Sequence, residues 1–369
     1  MQLAKIFSPS LDWLLVGVPA AFLLRYVPGW RNETALFIVS AAAIVPLAGR
    51  MGTATDEIAG KVGAGLGGLI NASFGNAAEL IIALVALKAG LIGVVKASIT
   101  GSIIGNLVLV LGTALVAGGV RHRRQCFDGT AARAACTALC FAAFALIVPG
   151  VFHRTAATRQ EGWTPALEHR LSLAIATVLI TSYATVLWFT LGTHRHLATA
   201  RPPDSAATAA EPPVRRRTLA GAVLMLLLAT GCVAWLSEFL VGSIEHARAS
   251  LGLTETFVGV IVVAMVGNAA EHSTAIGAAW RNKLDLTLAI TTGSSLQIAL
   301  FVAPVLVFAS YAFGRQLTLE FTLPEITAVF AAVFLTAQIS GDGKSNWLEG
   351  AQLIALYAIF ALLFYFLPG

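Results

Sequence analysis

Charge is scarce in this chain. Of 369 residues only 12% are charged, against 57% hydrophobic, and the mean hydropathy is +0.81. A soluble domain carries about 25% charged residues, and a larger core cannot make up the shortfall, because a water-facing surface needs charge to cover it. The bilayer is therefore the expected solvent for most of the surface. A nucleic-acid patch is lacking too: the net charge is only +5, and the basic residues sit between apolar blocks, as in loops flanking membrane spans. Cysteine is limited to Cys126, Cys136, Cys140 and Cys232. None forms a Cys-x-x-Cys pair, so neither a zinc site nor a redox motif is signalled. Cys136 and Cys140 share a helical face and read as small packing residues. The first apolar block, Leu11 to Val27, lacks a small-residue cleavage site and is expected to be a retained helix rather than a signal peptide.

What is present is a series of apolar blocks of about 20 residues. They predict an all-α integral membrane protein of about eleven transmembrane helices, near 11–28, 34–57, 66–88, 92–119, 131–152, 170–193, 218–244, 254–279, 285–312, 322–340 and 348–367. Fifteen of the 24 basic residues, among them Lys61, Arg121, Arg123, Arg124, Arg281 and Lys344, fall on one side of this layout. That side is expected to be cytoplasmic, which puts the N-terminus inside and the C-terminus outside, in the plasma (inner) membrane. Residues 194–217 hold four prolines and the run Arg215-Arg216-Arg217. This stretch cannot span a membrane and reads as a cytoplasmic linker, with the arginines placed to meet anionic headgroups.

The linker divides an internal repeat. Gly75-Asn76-Ala77-Ala78-Glu79 recurs unchanged as Gly267-Asn268-Ala269-Ala270-Glu271, an offset of 192 residues. The same offset carries Thr100-Gly101-Ser102 onto Thr292-Gly293-Ser294. The predicted organisation is an accessory helix (1–32), a first five-helix repeat (33–193), the linker (194–217) and a second five-helix repeat (218–369). Five helices is an odd number, so the repeats have opposite orientations in the membrane. Such inverted repeats are a feature of secondary transporters, which bind substrate near the midplane between them.

Glu79 and Glu271 each interrupt an otherwise apolar helix. A carboxylate at the bilayer centre costs about 2.5–3.5 kcal/mol on the mildest scale, and no lysine or arginine lies within a turn of either. The countercharge must come from elsewhere: a mobile cation, replaced by a proton when it leaves. Asn76 and Glu79 are three residues apart and are expected on one helical face, and Asn268 and Glu271 repeat the spacing. Two carboxylates and two amide carbonyls make a hard, all-oxygen site suited to calcium; zinc or copper would call for paired histidine or cysteine. Ser102, Asn106, Ser294 and Gln297 are candidate outer ligands or cavity lining, with close helix packing as the alternative role for each. Glu238 and His272 are candidates for a proton path, although His272, which has no counterpart in the first repeat, reads first as a packing residue. Asp56 and Glu57 are expected near a cytoplasmic helix end.

At these residues the sequence resembles the cation/proton exchangers of the calcium/cation antiporter superfamily. The segments that carry the likeness are Gly68 to Glu79, Gly259 to His272, and Asp342-Gly343-Lys344-Ser345-Asn346-Trp347-Leu348-Glu349-Gly350. The asparagine beside each glutamate is similar to the proton-coupled calcium branch, and the linker lacks the acidic helix of eukaryotic members, which makes the chain look like a prokaryotic one. The resemblance implies ten core helices plus an accessory one, with Asn76, Glu79, Asn268 and Glu271 lining a central cation site. It also implies that the glutamates alternate between Ca2+ and H+. No cofactor is expected beyond these transported ions, and the lipid bilayer is the expected environment. A proton-coupled antiporter preferring Mn2+, Na+ or K+ uses the same oxygen ligands and remains the alternative within transport. A cation channel and an intramembrane hydrolase with paired carboxylates are alternatives of other classes; nothing in the sequence suggests the selectivity-filter loops of a channel, and a hydrolase does not account for carboxylates that obey an inverted repeat.

Overall fold

A computed structural model describes residues 11–159, 164–193 and 217–367. A 3-10 turn (Leu11–Val16) leads into α1 (Gly17–Tyr26), followed by α2 (Glu33–Val62), α3 (Ala64–Phe74) and α4 (Ala77–Ala89). Then come α5 (Ile92–Arg121), α6 (Gly129–Arg159) and α7 (Pro165–Trp188). The second half holds α8 (Leu219–Leu251), α9 (Glu255–Trp280), α10 (Leu284–Ala312), α11 (Leu323–Ile339) and α12 (Trp347–Phe366). Among the described residues, eight helices are long and apolar enough to cross a membrane: α2, α5, α6, α7, α8, α9, α10 and α12.

Helix starts follow side-chain caps. The Asn32 side chain accepts from Ala35 N, and Thr164, Thr218 and Thr254 cap α7, α8 and α9 in the same way. Thr322 with Glu325, and Asn346 with Glu349, form capping boxes. The Asp342–Gly350 segment thereby acquires a local structural role. Asp342 Oδ1 accepts from Lys344 N at 3.0 Å, Lys344–Ser345 pairs antiparallel with Gln125–Cys126, and Asn346 starts α12. This two-residue ribbon ties the first half of the chain to the second and is the one departure, among the described residues, from the all-helical expectation.

Several expected boundaries need correcting. The sixth helix starts at Pro165 rather than 170, because Thr164 caps it, and the seventh runs to Leu251 rather than 244. At 33 residues, α8 is about 50 Å long, so its last turns extend past a hydrocarbon layer of roughly 30 Å. There Glu245 and Arg248 pair at 2.7 Å. The block near 66–88 is not one helix: it breaks at Gly75–Asn76, where Asn76 has φ −104° and ψ 30°. The linker residues 194–216, including Arg215 and Arg216, lie outside the described residues.

Contacts sort the loops onto two ends. At one end Lys61 Nζ donates to Arg217 O, His122 faces Trp280 O, and Asp285 Oδ1 accepts from Asp128 N. At the other, Lys96 meets Thr318 and Glu320, and Val94 N donates to Glu255. Between them α8 lies along α2, and α9 packs against α2, α5 and α10. The core is built from small and branched residues, such as Ala43, Ile44, Leu107, Leu111, Ala278 and Leu306.

Candidate functional site

Glu79 sits in the first turn of α4, just after the break, whereas Glu271 lies inside α9, which runs unbroken through Asn268. The expected common helical face for asparagine and glutamate therefore holds only in the second half. In the first, Asn76 is the residue before α4, and its side chain is placed by the turn. The two glutamates are nevertheless brought together at one site. A Cβ at Gly267 would stand 2.8 Å from Glu79 Cγ, so this glycine admits the Glu79 side chain against α9. Glu271 lies against the Ser294 and Asn106 side chains and faces the charge of Glu79. Its Oε2 is buried without a hydrogen-bond partner. Among the described residues no ion pair joins either glutamate to a basic group.

The amides and hydroxyls form a network that crosses between halves. Ser294 Oγ donates to Asn76 Oδ1 at 2.9 Å, and Asn268 Nδ2 donates to Ser102 Oγ at 2.8 Å. These two bonds join repeat-equivalent positions: the asparagine of one half meets the serine of the other. Asn106 Nδ2 donates to Asn268 Oδ1 at 3.0 Å and to Ser294 Oγ at 2.9 Å, and Asn76 Nδ2 donates to Gln297 Oε1 at 2.6 Å. Asn106 and Gln297 are not equivalent under the offset, so the pseudo-symmetry ends with the serines. Each asparagine oxygen already accepts one bond, which makes the amides organisers of the site as much as ligands.

Directly after these motifs the helices loosen into π-helical segments, Gly105–Val110 in α5 and Ile298–Val302 in α10, at matching places in the two halves. A third, Val258–Val263, opens α9. Such segments free backbone groups and are often found at functional sites.

A cavity of about 750 Å³ reaches the glutamates from the end that carries Arg217. It is lined by Glu79, Glu271, Ser294 and Gln297 at its base and by Asp12, Arg50 and Arg217 toward its mouth. On the other side of Glu79 lies a void of about 10 Å³, bounded by Ser98, Ser102 and Ile298, room for about one water. The site is therefore reached by the large cavity from the Arg217 end.

Other expected positions fall away from the cavity. Glu238 is exposed and does not line this cavity. His272 is turned away from the cavity, its Nε2 buried without a partner. Asp56, expected near a helix end, faces the cavity beside Asn71. The signal for it is a carboxylate nearly two turns before the end of α2 at Val62.

Because a hydroxyl can be replaced by water as a neutral ligand or bridge, Ser102→Ala and Ser294→Ala should weaken ion binding by about tenfold or less, the cost of one ordinary hydrogen bond. Titrating each variant with the ion measures this. A loss equal to that of a glutamate variant would make the serine an obligatory ligand.

A family described as "Sodium/calcium exchanger protein" matches residues 32–192 and 221–366. The chain is similar to a Ca2+/H+ antiporter of Synechocystis sp., 47% identical over 365 residues and covering 96% of each chain. It is also similar to the Ca2+/H+ antiporter ChaA of Bacillus subtilis, at 44% identity over 95% of this chain and 97% of the relative. Among solved structures, native YfkE superposes with a TM-score of 0.82 at 40% identity, covering 97% of this chain and all of the other.

Proposed function

The chain belongs to the sodium/calcium exchanger protein family, and on that premise we propose that it is a secondary antiporter that exports Ca2+ from the cytoplasm in exchange for H+. It is a transporter rather than an enzyme. The observation that carries this reading is the meeting of Glu79 and Glu271, from equivalent places in two halves of the chain, with no basic partner among the described residues and with a cavity that reaches them from the Arg217 end. The relatives named for Ca2+/H+ antiport support the choice of ions.

In this mechanism the two glutamates hold either Ca2+ or protons. Two carboxylates facing each other in a low-dielectric site repel, and a divalent cation or protons supply the balance. The empty, fully charged site is too costly to carry across, so the two fluxes are linked. Asn76 and Asn268 place the site through their bonds to Ser294 and Ser102, and each keeps a lone pair on its amide oxygen for the ion. The eleven helical spans form two inverted five-helix repeats around this site, with an accessory helix ahead of them. The cavity opens on the end bearing Arg217, and the excess of basic residues on that side supports placing it in the cytoplasm, so that ions enter the site from the inside.

The functional test is uptake of radioactive Ca2+ into inverted membrane vesicles. An imposed proton gradient should drive uptake and a sodium gradient should not. Sodium-driven uptake, or an uptake of Mn2+ or K+ in preference to Ca2+, overturns the ion assignment. The topology has its own test: reporter fusions in the 194–217 linker and at Gly369 should report opposite compartments, the linker inside. Two cytoplasmic signals would contradict the inverted repeat.

A further inference from the structure

The end of the molecule opposite the cavity mouth carries a second constellation. Among the described residues, one group of three side chains has the composition and spacing to hold a metal ion: His153, Glu168 and Glu320, whose ligand atoms all lie within 4.8 Å of one another. His153 Nδ1 is 2.9 Å from Glu168 Oε1, and His153 Nε2 is 3.9 Å from Glu320 Oε1. None of the three lines the cavity between Glu79 and Glu271.

The local structure builds this cluster from three elements. His153 lies near the end of α6. Glu168 lies in the first turn of α7, fixed by the Thr164 cap, and is buried. Glu320 belongs to the segment before α11, where Leu317, Leu319 and Phe321 are buried while Thr318 and Glu320 between them are half-buried. That alternation turns Thr318 and Glu320 to one side. Leu319 N donates to Ser172 Oγ at 3.1 Å, which pins the segment onto α7 one turn beyond Glu168. Lys96 Nζ donates to Thr318 Oγ1 at 2.9 Å and stands 3.4 Å from Glu320 Oε2, so the lysine engages one Glu320 oxygen while Oε1 faces the imidazole.

We propose that His153, Glu168 and Glu320 form a binding site for a borderline divalent transition-metal ion such as Zn2+, separate from the cavity between Glu79 and Glu271. One imidazole nitrogen with two carboxylate oxygens is a ligand set for zinc-like ions rather than for calcium, which takes oxygen alone. Metal–ligand bonds of about 2.1 Å place the ligands of a tetrahedral shell roughly 3.4 Å apart. The imidazole presents Nδ1 to Glu168 and Nε2 to Glu320, so binding requires the His153 and Glu320 side chains, 35% and 31% exposed, to turn until both carboxylates meet one ring nitrogen at the ion. Water from the adjacent face supplies the fourth ligand. Bound there, the ion cross-links α6, α7 and the segment entering α11.

The site stands independently of the transport reading, and the test keeps the two apart. Untagged Glu79→Gln/Glu271→Gln protein, which lacks both cavity carboxylates, is titrated calorimetrically with Zn2+, and wild-type protein is titrated in excess Ca2+. Both should bind one Zn2+ per chain. Adding His153→Ala should weaken that binding at least about tenfold, the loss of one strong ligand, and Glu320→Gln, a change on a half-exposed loop, should do the same. Co2+ substituted for Zn2+ should show visible ligand-field absorption that disappears in His153→Ala. Absence of Zn2+ binding in both backgrounds, or equal affinity after both substitutions, would overturn the proposal.

Discussion

Glu79→Gln and Glu271→Gln should each reduce Ca2+/H+ exchange by more than about a hundredfold while leaving the protein folded. Glutamine keeps the shape of the side chain and its hydrogen-bonding capacity, so the neighbours of Glu271, Ser294 and Asn106, are still served. What is lost is one negative charge opposite a divalent ion. Removing one partner from a buried charged pair costs about 3–5 kcal/mol, and about 1.4 kcal/mol is tenfold in binding. The same substitution removes one of the two groups that return protons, so the variant loses both halves of the exchange. Asn76→Ala and Asn268→Ala should be milder, chiefly weakening Ca2+ affinity, because each deletes a neutral oxygen and a positioning bond. Flux assays on reconstituted protein, with elution volume as the check on folding, measure both. A glutamine variant that exchanges at the normal rate contradicts the assignment.

Gly101→Ala should prevent accumulation of folded protein. In α5 an added Cβ at Gly101 would stand 2.3 Å from Val260 O and 2.5 Å from Val260 Cα, both backbone atoms of α9. One residue away the contact is reciprocated: a Cβ at Gly259 would lie 2.4 Å from Ala97 Cβ and 2.9 Å from Val94 O. The two helices therefore touch backbone to backbone, and neither can yield by turning a side chain. Overpacking typically costs about 1–3 kcal/mol and sometimes more, and here the strain falls where α9 is π-helical, next to the site. Detergent extraction followed by size-exclusion chromatography should show aggregate in place of the monodisperse peak. By contrast Gly267→Ala meets only the flexible Glu79 side chain at 2.8 Å, so it should fold and lose transport. If Gly101→Ala is well folded and active, the close approach of α5 and α9 is wrong.

Much of this architecture was legible in the chain because the bilayer imposes a strong pattern. The apolar blocks located the long helices, and errors arose where helices continue into polar residues. The α6 helix runs past Val151 through His153 and Arg154, and α8 continues through Glu245 and Arg248. Hydropathy ends at the hydrocarbon boundary, but backbone hydrogen bonding does not. The break at Gly75–Asn76 was not legible for a different reason. The identical sequence Gly267-Asn268-Ala269-Ala270-Glu271 is continuous helix, so one local sequence takes two backbone forms and packing selects between them.

For the site, the 192-residue offset singled out the residue types that the structure brings together: two glutamates, two asparagines and two serines. The pattern of bonds was not legible. Asn76 meets Ser294, and Asn268 meets Ser102, across the halves rather than within them, and only the crossing of helices decides that. Asp56 was missed because its surroundings look like any charged helix end, and its place on the cavity wall depends on Asn71 in the next helix.

If Ca2+ and protons occupy the same two carboxylates, Ca2+ binding must release protons. Purified protein in weakly buffered solution is titrated with Ca2+ while the pH is recorded. Protons should appear in step with Ca2+ occupancy, fewer of them for Glu79→Gln, and the apparent Ca2+ affinity of the intact protein should fall as the pH is lowered. Ca2+ binding that releases no protons, or releases as many from Glu79→Gln as from the intact protein, would contradict a shared site.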